Sequence, residues 1–210
     1  MIDDESSARD YVARFADAAA LERLERLGDA LAEENERQNL VAKASLDSMW
    51  SRHFADSAQL LDHVPRETSG PWLDLGTGAG LPGLVMAALR PEMEVVLVES
   101  RKLRVAWLER MRDELGLANC HIEGSRLELV ESFSAGVISA RAFAPLPKLL
   151  RLSARFSTER TYWVLPKGRS AAQEVQELPK TLRNMFHVEQ SVTDGEAGIV
   201  VGRGKVREKQ

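Results

Sequence analysis

Residues 72–83 read WLDLGTGAGLPG. A four-residue run of strand character, interrupted by Asp74, leads into glycines at 76, 78 and 80 and then Pro-Gly. Glycines spaced this way after a strand let a ligand lie against bare backbone, because no Cβ excludes it. Asp74 stands just before that loop. A carboxylate there repels a pyrophosphate and suits a cationic ligand without phosphate, which points to S-adenosylmethionine. Asp74 has a plainer use as well, capping the glycine turn through its side chain. Residues 78–83, GAGLPG, also satisfy G-x-G-x-x-G, so a dinucleotide site stays open at this point. The next apolar strand, EVVLVES at 94–100, carries Glu99 near its end. A carboxylate in that position accepts ribose hydroxyls. Both ligands contain a ribose, so Glu99 indicates adenosine without choosing between them.

The rest of the chain supplies the frame. Apolar residues at three- and four-residue spacing predict a helix over 8–37 and a second over 46–63. VPRETSGP at 64–71 marks a boundary. From there strands and helices alternate: strands near 72–75, 94–99, 120–123, 136–140 and 161–166, with helices near 82–90, 101–116, 126–132, 145–156 and 170–178. Two last strands, 186–193 and 198–203, have no helix between them, which implies an antiparallel strand near one edge. The expected fold is α/β: a mostly parallel seven-stranded sheet with helices on both faces, preceded by a helical region. The expected division is a helical region at 1–70 and a ligand-binding domain at 71–210. Ligands of such sheets sit at the carboxyl ends of the strands, where the Asp74 loop, Glu99 and Ser139–Arg141 fall.

Composition narrows the classes. A chain of 210 residues with 44% hydrophobic content buries a full core. No run approaches the roughly 20 apolar residues a membrane helix needs, and the acidic opening MIDDESSARD is unlike a secretory leader. A cytoplasmic protein is expected. A single cysteine, Cys120, and four histidines without H-x-x-x-H spacing give no expectation of a metal. The net charge is −4, yet residues 1–36 hold eleven acids and four bases while the remainder holds twenty-one and twenty-four. Local basic groups are Arg101, Lys102 and Arg104; Arg126 and Arg141; Lys167 and Arg169; and the tail RGKVREK at 203–209. They could supply the basic face an RNA partner needs.

Several segments together resemble one family: NL (39–40), RHFADS (52–57), LDLGTGAGLPG (73–83), LVESRKLRVAWL (97–108), ELGLAN through SRLE (114–128), ISARAFAPL (138–146) and LPKG (165–168). These look like the bacterial guanine-N7 methyltransferases of small-subunit ribosomal RNA, the RsmG or GidB family. The resemblance implies a Rossmann-like class I methyltransferase fold with an N-terminal helical cap, S-adenosyl-L-methionine as donor and N7 of a guanine in 16S ribosomal RNA, free or in a small-subunit particle, as acceptor. Carried over by position, it implies that Gly76, Leu81, Glu99, Leu127 and Glu128 bind the donor and that Arg141 lies beside the donor carboxylate or the target nucleotide; Asp74, Gly78 and Gly80 are donor-binding candidates from the loop's own chemistry. Leu127 and Glu128 would border the adenine. Val41, Leu127 and Glu99 depart from residues frequent in the family, which often has threonine, alanine or valine, and aspartate there.

Guanine N7 carries an in-plane lone pair and no proton, so its attack on a sulfonium methyl needs no general base. Proximity and alignment carry such a reaction. Arg141 and Lys167 are the candidate catalytic side chains, gripping the guanine O6 edge or a phosphate; His53, Phe143, Lys167 and Arg169 are the candidate substrate contacts. Each has a plainer alternative. His53 and Asp56 share a helix face and could pair to dock the cap. Arg141 could pair with Glu128, and Lys167 could extend to solvent. Trp72 and Trp163 read as core. The residues alone also leave open a methyltransferase for another RNA or a small molecule, an NAD-linked oxidoreductase, and a non-catalytic RNA-binding or ribosome-assembly protein.

Overall fold

A computed structural model describes residues 1–2 and 4–207; Glu208 and Lys209 of the basic tail lie outside them. The strands are β1 (Trp72–Leu75), β2 (Val95–Val98), β3 (Cys120–Glu123), β4 (Val137–Ser139), β5 (Tyr162–Gly168), β6 (Phe186–Gln190) and β7 (Gly198–Arg203). They form one sheet in the order β3-β2-β1-β4-β5-β7-β6. The first five are parallel, and β7 runs antiparallel to both β5 and β6. The direction of winding reverses between β1 and β4. Such a switch point opens a crevice at the carboxyl ends of its strands.

The central strands are apolar because both faces are covered. Every residue of β1 and β2 is buried. Alternate side chains enter two separate clusters: Trp72, Val95, Leu97, Val137 and Val164 on one face, Leu73, Leu75, Val96, Ile138 and Trp163 on the other. The helices are α1 (Glu5–Ala13), α2 (Ala18–Asn35), α3 (Asp56–Ala58), α4 (Gly83–Leu89), α5 (Lys102–Glu114), α6 (Leu146–Ser153), α7 (Ala171–Gln176) and α8 (Lys180–Arg183). Helix α4 is buried all round, since α2 and α3 pack on its outer side. Leu24, Leu27 and Leu31 of α2 join the same cluster as Trp72 and Val95. The change of architecture near residue 70 is therefore not a break in the core.

The N-terminal helices differ from the pattern read in the sequence. The helix expected over 8–37 is two helices, because Asp17 starts the second by accepting the Ala20 amide at 2.7 Å. A side-chain acceptor at that position competes with the continuing helical ladder. The helix expected over 46–63 changes pitch along its length: a 3-10 stretch at Lys43–Ser48, a π-helical stretch at Trp50–Ala55, α3, then 3-10 again at Gln59–His63. Glu5 from α1 receives the Trp50 and Ser51 amides at 2.7 and 2.9 Å, anchoring the π-helical turn. That turn carries Arg52 and His53 toward the carboxyl end of the sheet, with Asp56 and Gln59 just beyond it.

Candidate functional site

The glycine loop is built around Asp74. This residue is fully buried. Its Oδ1 accepts the Ser139 hydroxyl at 2.7 Å, and Ser139 Oγ in turn accepts the Trp72 indole N–H at 2.8 Å. Its Oδ2 accepts the Gly83 amide at 3.0 Å. Helix α4 begins with no side-chain cap of its own, so the strand supplies the acceptor its first amide lacks. Gly83 must be glycine, because a Cβ there would meet Leu97 and the Asp74 carboxylate. Asp74 thus ties β1, β4 and α4 together and faces no cavity. In this structure both its oxygens serve the turn, the plainer of the two uses expected of it. Burial pushes its carboxyl up to about 6, against the pull of the Ser139 and Gly83 hydrogen bonds.

Two cavities open on either side of the 142–144 segment, the smaller of them reaching the glycine loop. The smaller, about 380 Å³, lies between the ends of β1 and β2 and is lined by Gly76, Glu99, Arg104, Leu127, Glu128 and Phe143 among others. Glu99 is buried, with Oε1 accepting the Ser100 and Arg101 amides at 2.7 and 2.9 Å. Its Oε2 lies 3.7 Å from Arg104 Nη1. A carboxylate held this way presents a fixed acceptor edge, as a ribose diol requires. Leu127 contributes its backbone, whose carbonyl accepts from Arg155, and Glu128 pairs with Arg126 at 3.2 Å. The set fits an adenosine ligand: an acceptor for the sugar, an apolar wall, and a loop residue without a Cβ.

Of the three alternate glycines only Gly76 lines this cavity, and the Phe143 ring occupies the space its missing side chain leaves. Gly76, at φ 62°, lines the cavity, and a Cβ built on it would lie 2.5 Å from the Phe143 ring. The space beyond Gly80 is filled by Leu84 and Leu108, and that beyond Gly78 faces the Arg104 guanidinium. Leu81 is buried in the core. Gly78, Gly80 and Leu81, the other donor-binding candidates of the loop, shape the turn and are not among the residues lining this cavity. Spacing identifies the turn; which glycine faces a ligand depends on neighbours from distant segments.

The larger cavity, about 1010 Å³, lies across the 142–144 segment and is walled by the helical cap, the end of β5 and the 191–198 loop. It receives Arg52, His53, Asp56, Arg141, Phe143 and Lys167. Arg141 pairs with Asp56 at 3.2 Å, not with Glu128, and it lines this cavity and not the smaller one. It is thus separated from Arg126, with which sequence proximity of charge had grouped it. Asp56 also accepts from Gln59 and Thr193, at 2.9 and 3.0 Å. His53 bonds through Nε2 to Ser45 Oγ at 2.9 Å and makes no pair with Asp56. Burial, reinforced by Arg141 and Arg52, lowers the His53 pKa to about 4, so its ring is neutral near pH 7. The Lys167 ammonium is not in solvent: it donates to the Ala144 carbonyl at 2.6 Å and to Glu174 at 3.0 Å. Arg169 is exposed, pairs with Glu196 and lies outside both cavities.

Sequence reasoning missed Ser139 as a partner of Asp74, Arg104 beside Glu99, and Glu174. Arg104 stands five residues after Glu99, close enough to be suspected. Glu174 is 28 residues from the backbone it touches, and nothing local signals it. Cys120 is buried, and burial pushes its thiol up to about 12, so it is unreactive. Among the described residues no group of three or more His, Cys, Asp or Glu is arranged to hold a metal. No helix among them is long and apolar enough to cross a membrane.

The sheet order, the glycine turn and the acid after β2 define a class I S-adenosylmethionine-dependent methyltransferase. Solved structures share the fold: a SAM-dependent methyltransferase from Aquifex aeolicus aligns over 72% of this chain and 90% of its own, with TM-score 0.56 and 18% identity. A methyltransferase from Geobacter sulfurreducens aligns over 86% and 89%, with TM-score 0.57 and 14% identity. Residues 20–199 match the family model described as GidB, rRNA small subunit methyltransferase G. A protein of Erythrobacter litoralis named ribosomal RNA small subunit methyltransferase G is 64% identical, covering 99% of this chain and all of its own length. One of the same name from Novosphingobium aromaticivorans is 59% identical over 89% of this chain and 82% of its own. The chain belongs to the rRNA small subunit methyltransferase G family.

Two outcomes follow from the loop. Asp74 is protonated more readily in the folded than in the unfolded chain, so lowering pH from 7 through 6 toward 4 should stabilise the fold through this group. Asp74→Asn should flatten that part of the Tm-versus-pH profile while keeping the cap to Gly83. Gly76→Ala must place a Cβ at positive φ against Phe143. Calorimetry should show weaker binding of S-adenosylhomocysteine to it, with the fold intact by circular dichroism.

Proposed function

We propose that this protein transfers the methyl group of S-adenosylmethionine to N7 of a guanine in 16S ribosomal RNA, and that it does so in the cytoplasm. The observation that carries this reading is the shared wall: Phe143 and its neighbours Ala142 and Ala144 line both cavities. The smaller cavity is the donor site, with Glu99 on the ribose, Leu127 and Glu128 beside the adenine, and Gly76 under the methionine part. The larger is the acceptor site. The relatives' shared name supplies the substrate class, and residue chemistry supplies the atom.

Bound S-adenosylmethionine supplies an electrophilic methyl on a sulfonium sulfur. The protein's task is then to orient the nucleophile and limit water. Neutral His53 agrees with a nucleophile that has no proton to lose. One arm of Arg141 is committed to Asp56, which leaves other N–H donors for the guanine O6. A grip on O6 alone keeps N7 free, whereas the bidentate O6/N7 grip common in nucleic-acid readout would block attack. Phe143 offers a face for base stacking. N7 lies on the major-groove edge, which is deep and narrow in A-form RNA, so the target base enters unpaired. Positioning of this kind can supply roughly 7–11 kcal/mol of the barrier.

The direct test is incubation with tritiated S-adenosylmethionine and unmethylated ribosomal RNA, free and in small subunits, followed by mapping of the labelled base. Label on guanine N7 is expected; RNA association without transfer, or label on another base, contradicts the reading. Glu99→Ala should weaken donor binding by about 10-fold or more, the scale of hydrogen bonds to a charged group. Arg141→Ala should lower methyl transfer far more than donor affinity. Equal loss of both would move Arg141 to the donor side.

A further inference from the structure

The wall between the cavities is held at three points. At its start, Arg141 pairs with Asp56 of α3 at 3.2 Å. Near its end, the Ala144 carbonyl accepts from Lys167 Nζ at 2.6 Å, and the Leu146 amide donates to Glu174 Oε2 at 2.6 Å. The same Glu174 oxygen receives Lys167 Nζ at 3.0 Å, while Oε1 accepts the Ser170 hydroxyl at 2.7 Å. Helix α6 follows Pro145 and has no cap from its own sequence. Glu174, one helix later, supplies it. The Lys167 and Glu174 side chains are only 9% and 17% exposed. Between the pins lie Ala142, at the unusual φ of 54°, and Phe143 against Gly76. A non-glycine residue at positive φ persists where its surroundings over-determine it.

We propose that Glu174 is a positioning residue: through Lys167 and the Leu146 amide it fixes the 141–146 segment as the partition between donor and acceptor. The proposal rests on the donor and acceptor reading of the two cavities. It reassigns Lys167, whose ammonium is spent on the Ala144 carbonyl and on Glu174. Lys167 acts on the reaction through the wall and is not a group that grips the base. Burial alone would raise the Glu174 carboxyl; the hydrogen bonds from Ser170, Leu146 and Lys167 outweigh it and hold it below the usual range. The clamp is therefore charged near neutral pH. A half-buried ion pair is a poor device for stability alone, whereas one that fixes a catalytic wall is useful, since a displacement of about 1 Å can cost about 100-fold in rate.

The test compares wild type, Glu174→Gln, Glu174→Ala, Lys167→Met, Lys167→Arg and the Glu174→Ala/Lys167→Met double variant in full-length protein. Glu174→Ala should lower kcat on unmethylated ribosomal RNA about 10- to 100-fold. Its dissociation constant for S-adenosylhomocysteine should rise far less than kcat falls, because Glu99 is untouched and the released segment forms only one wall of the donor cavity. The double variant should be no slower than the worse single variant, and Lys167→Arg should recover part of the loss. A second readout needs no activity: trypsin should cut after Arg141 several-fold faster once the clamp is removed, with little change elsewhere. An unchanged kcat and an unchanged cleavage rate, or a loss of donor affinity equal to the loss of kcat, would overturn the proposal. If Glu174→Ala fails to fold, Glu174→Gln and Lys167→Met decide by the same two measurements. A wild type that transfers no methyl to ribosomal RNA would defeat the functional reading, while the cleavage rates would still judge the clamp.

Discussion

A carboxylate with no access to water organises this molecule. Asp74 joins the last hydrogen bond of the Trp72–Ser139 relay to the first amide of α4. A buried acid is costly unless its oxygens are satisfied, and here each oxygen has a partner from a different element. The consequence is geometric. The turn between β1 and α4 has one shape, and that shape sets Gly76 at the mouth of the crevice, against Phe143. The charge is conditional, since burial favours the protonated form. The group therefore spends some stability near neutral pH to keep the turn fixed.

The second constraint is the wall that begins where β4 ends. It runs from Arg141 to Leu146 and separates a nucleoside-sized cavity from one large enough for a nucleotide and its neighbours. Methyl transfer requires two ligands to approach head-on from opposite sides of such a boundary. The wall is gripped by the helical cap through Asp56 and by the β5 side through Lys167 and Glu174. The N-terminal helices thus do more than cover the sheet. They deliver Asp56 on a run of helix whose pitch changes twice, anchored by Glu5 of α1.

Much of this was legible in the chain. The runs WLDL and VVLV read as strands, and the structure sets them inside the sheet with both faces covered. The adjacent last strands without a helix signalled the antiparallel edge. Glu99 could be placed at the carboxyl end of β2, beside the smaller cavity, because that position follows from the strand alone. What could not be read were side-chain directions decided by distant partners. Asp74 is nine residues from Gly83 and sixty-five from Ser139, and only the fold shows that it serves both. Leu81 and Gly80 look like loop residues and are core, because Leu84 and Leu108 fill the space beside them. Lys167 looked like a free cation because Glu174 and the Ala144 carbonyl meet it only in three dimensions. The break at Asp17 was overlooked because apolar periodicity continues across it, while one capping carboxylate decides otherwise.

The most direct trial of the account is a crystal structure of the protein with S-adenosylhomocysteine bound. The account predicts the ribose on Glu99 and the amino-acid part over Gly76, with Asp74 still bonded to Ser139 and the Gly83 amide. A ligand lodged in the larger cavity, or one that draws Asp74 out of its buried contacts while leaving Glu99 unengaged, would contradict it.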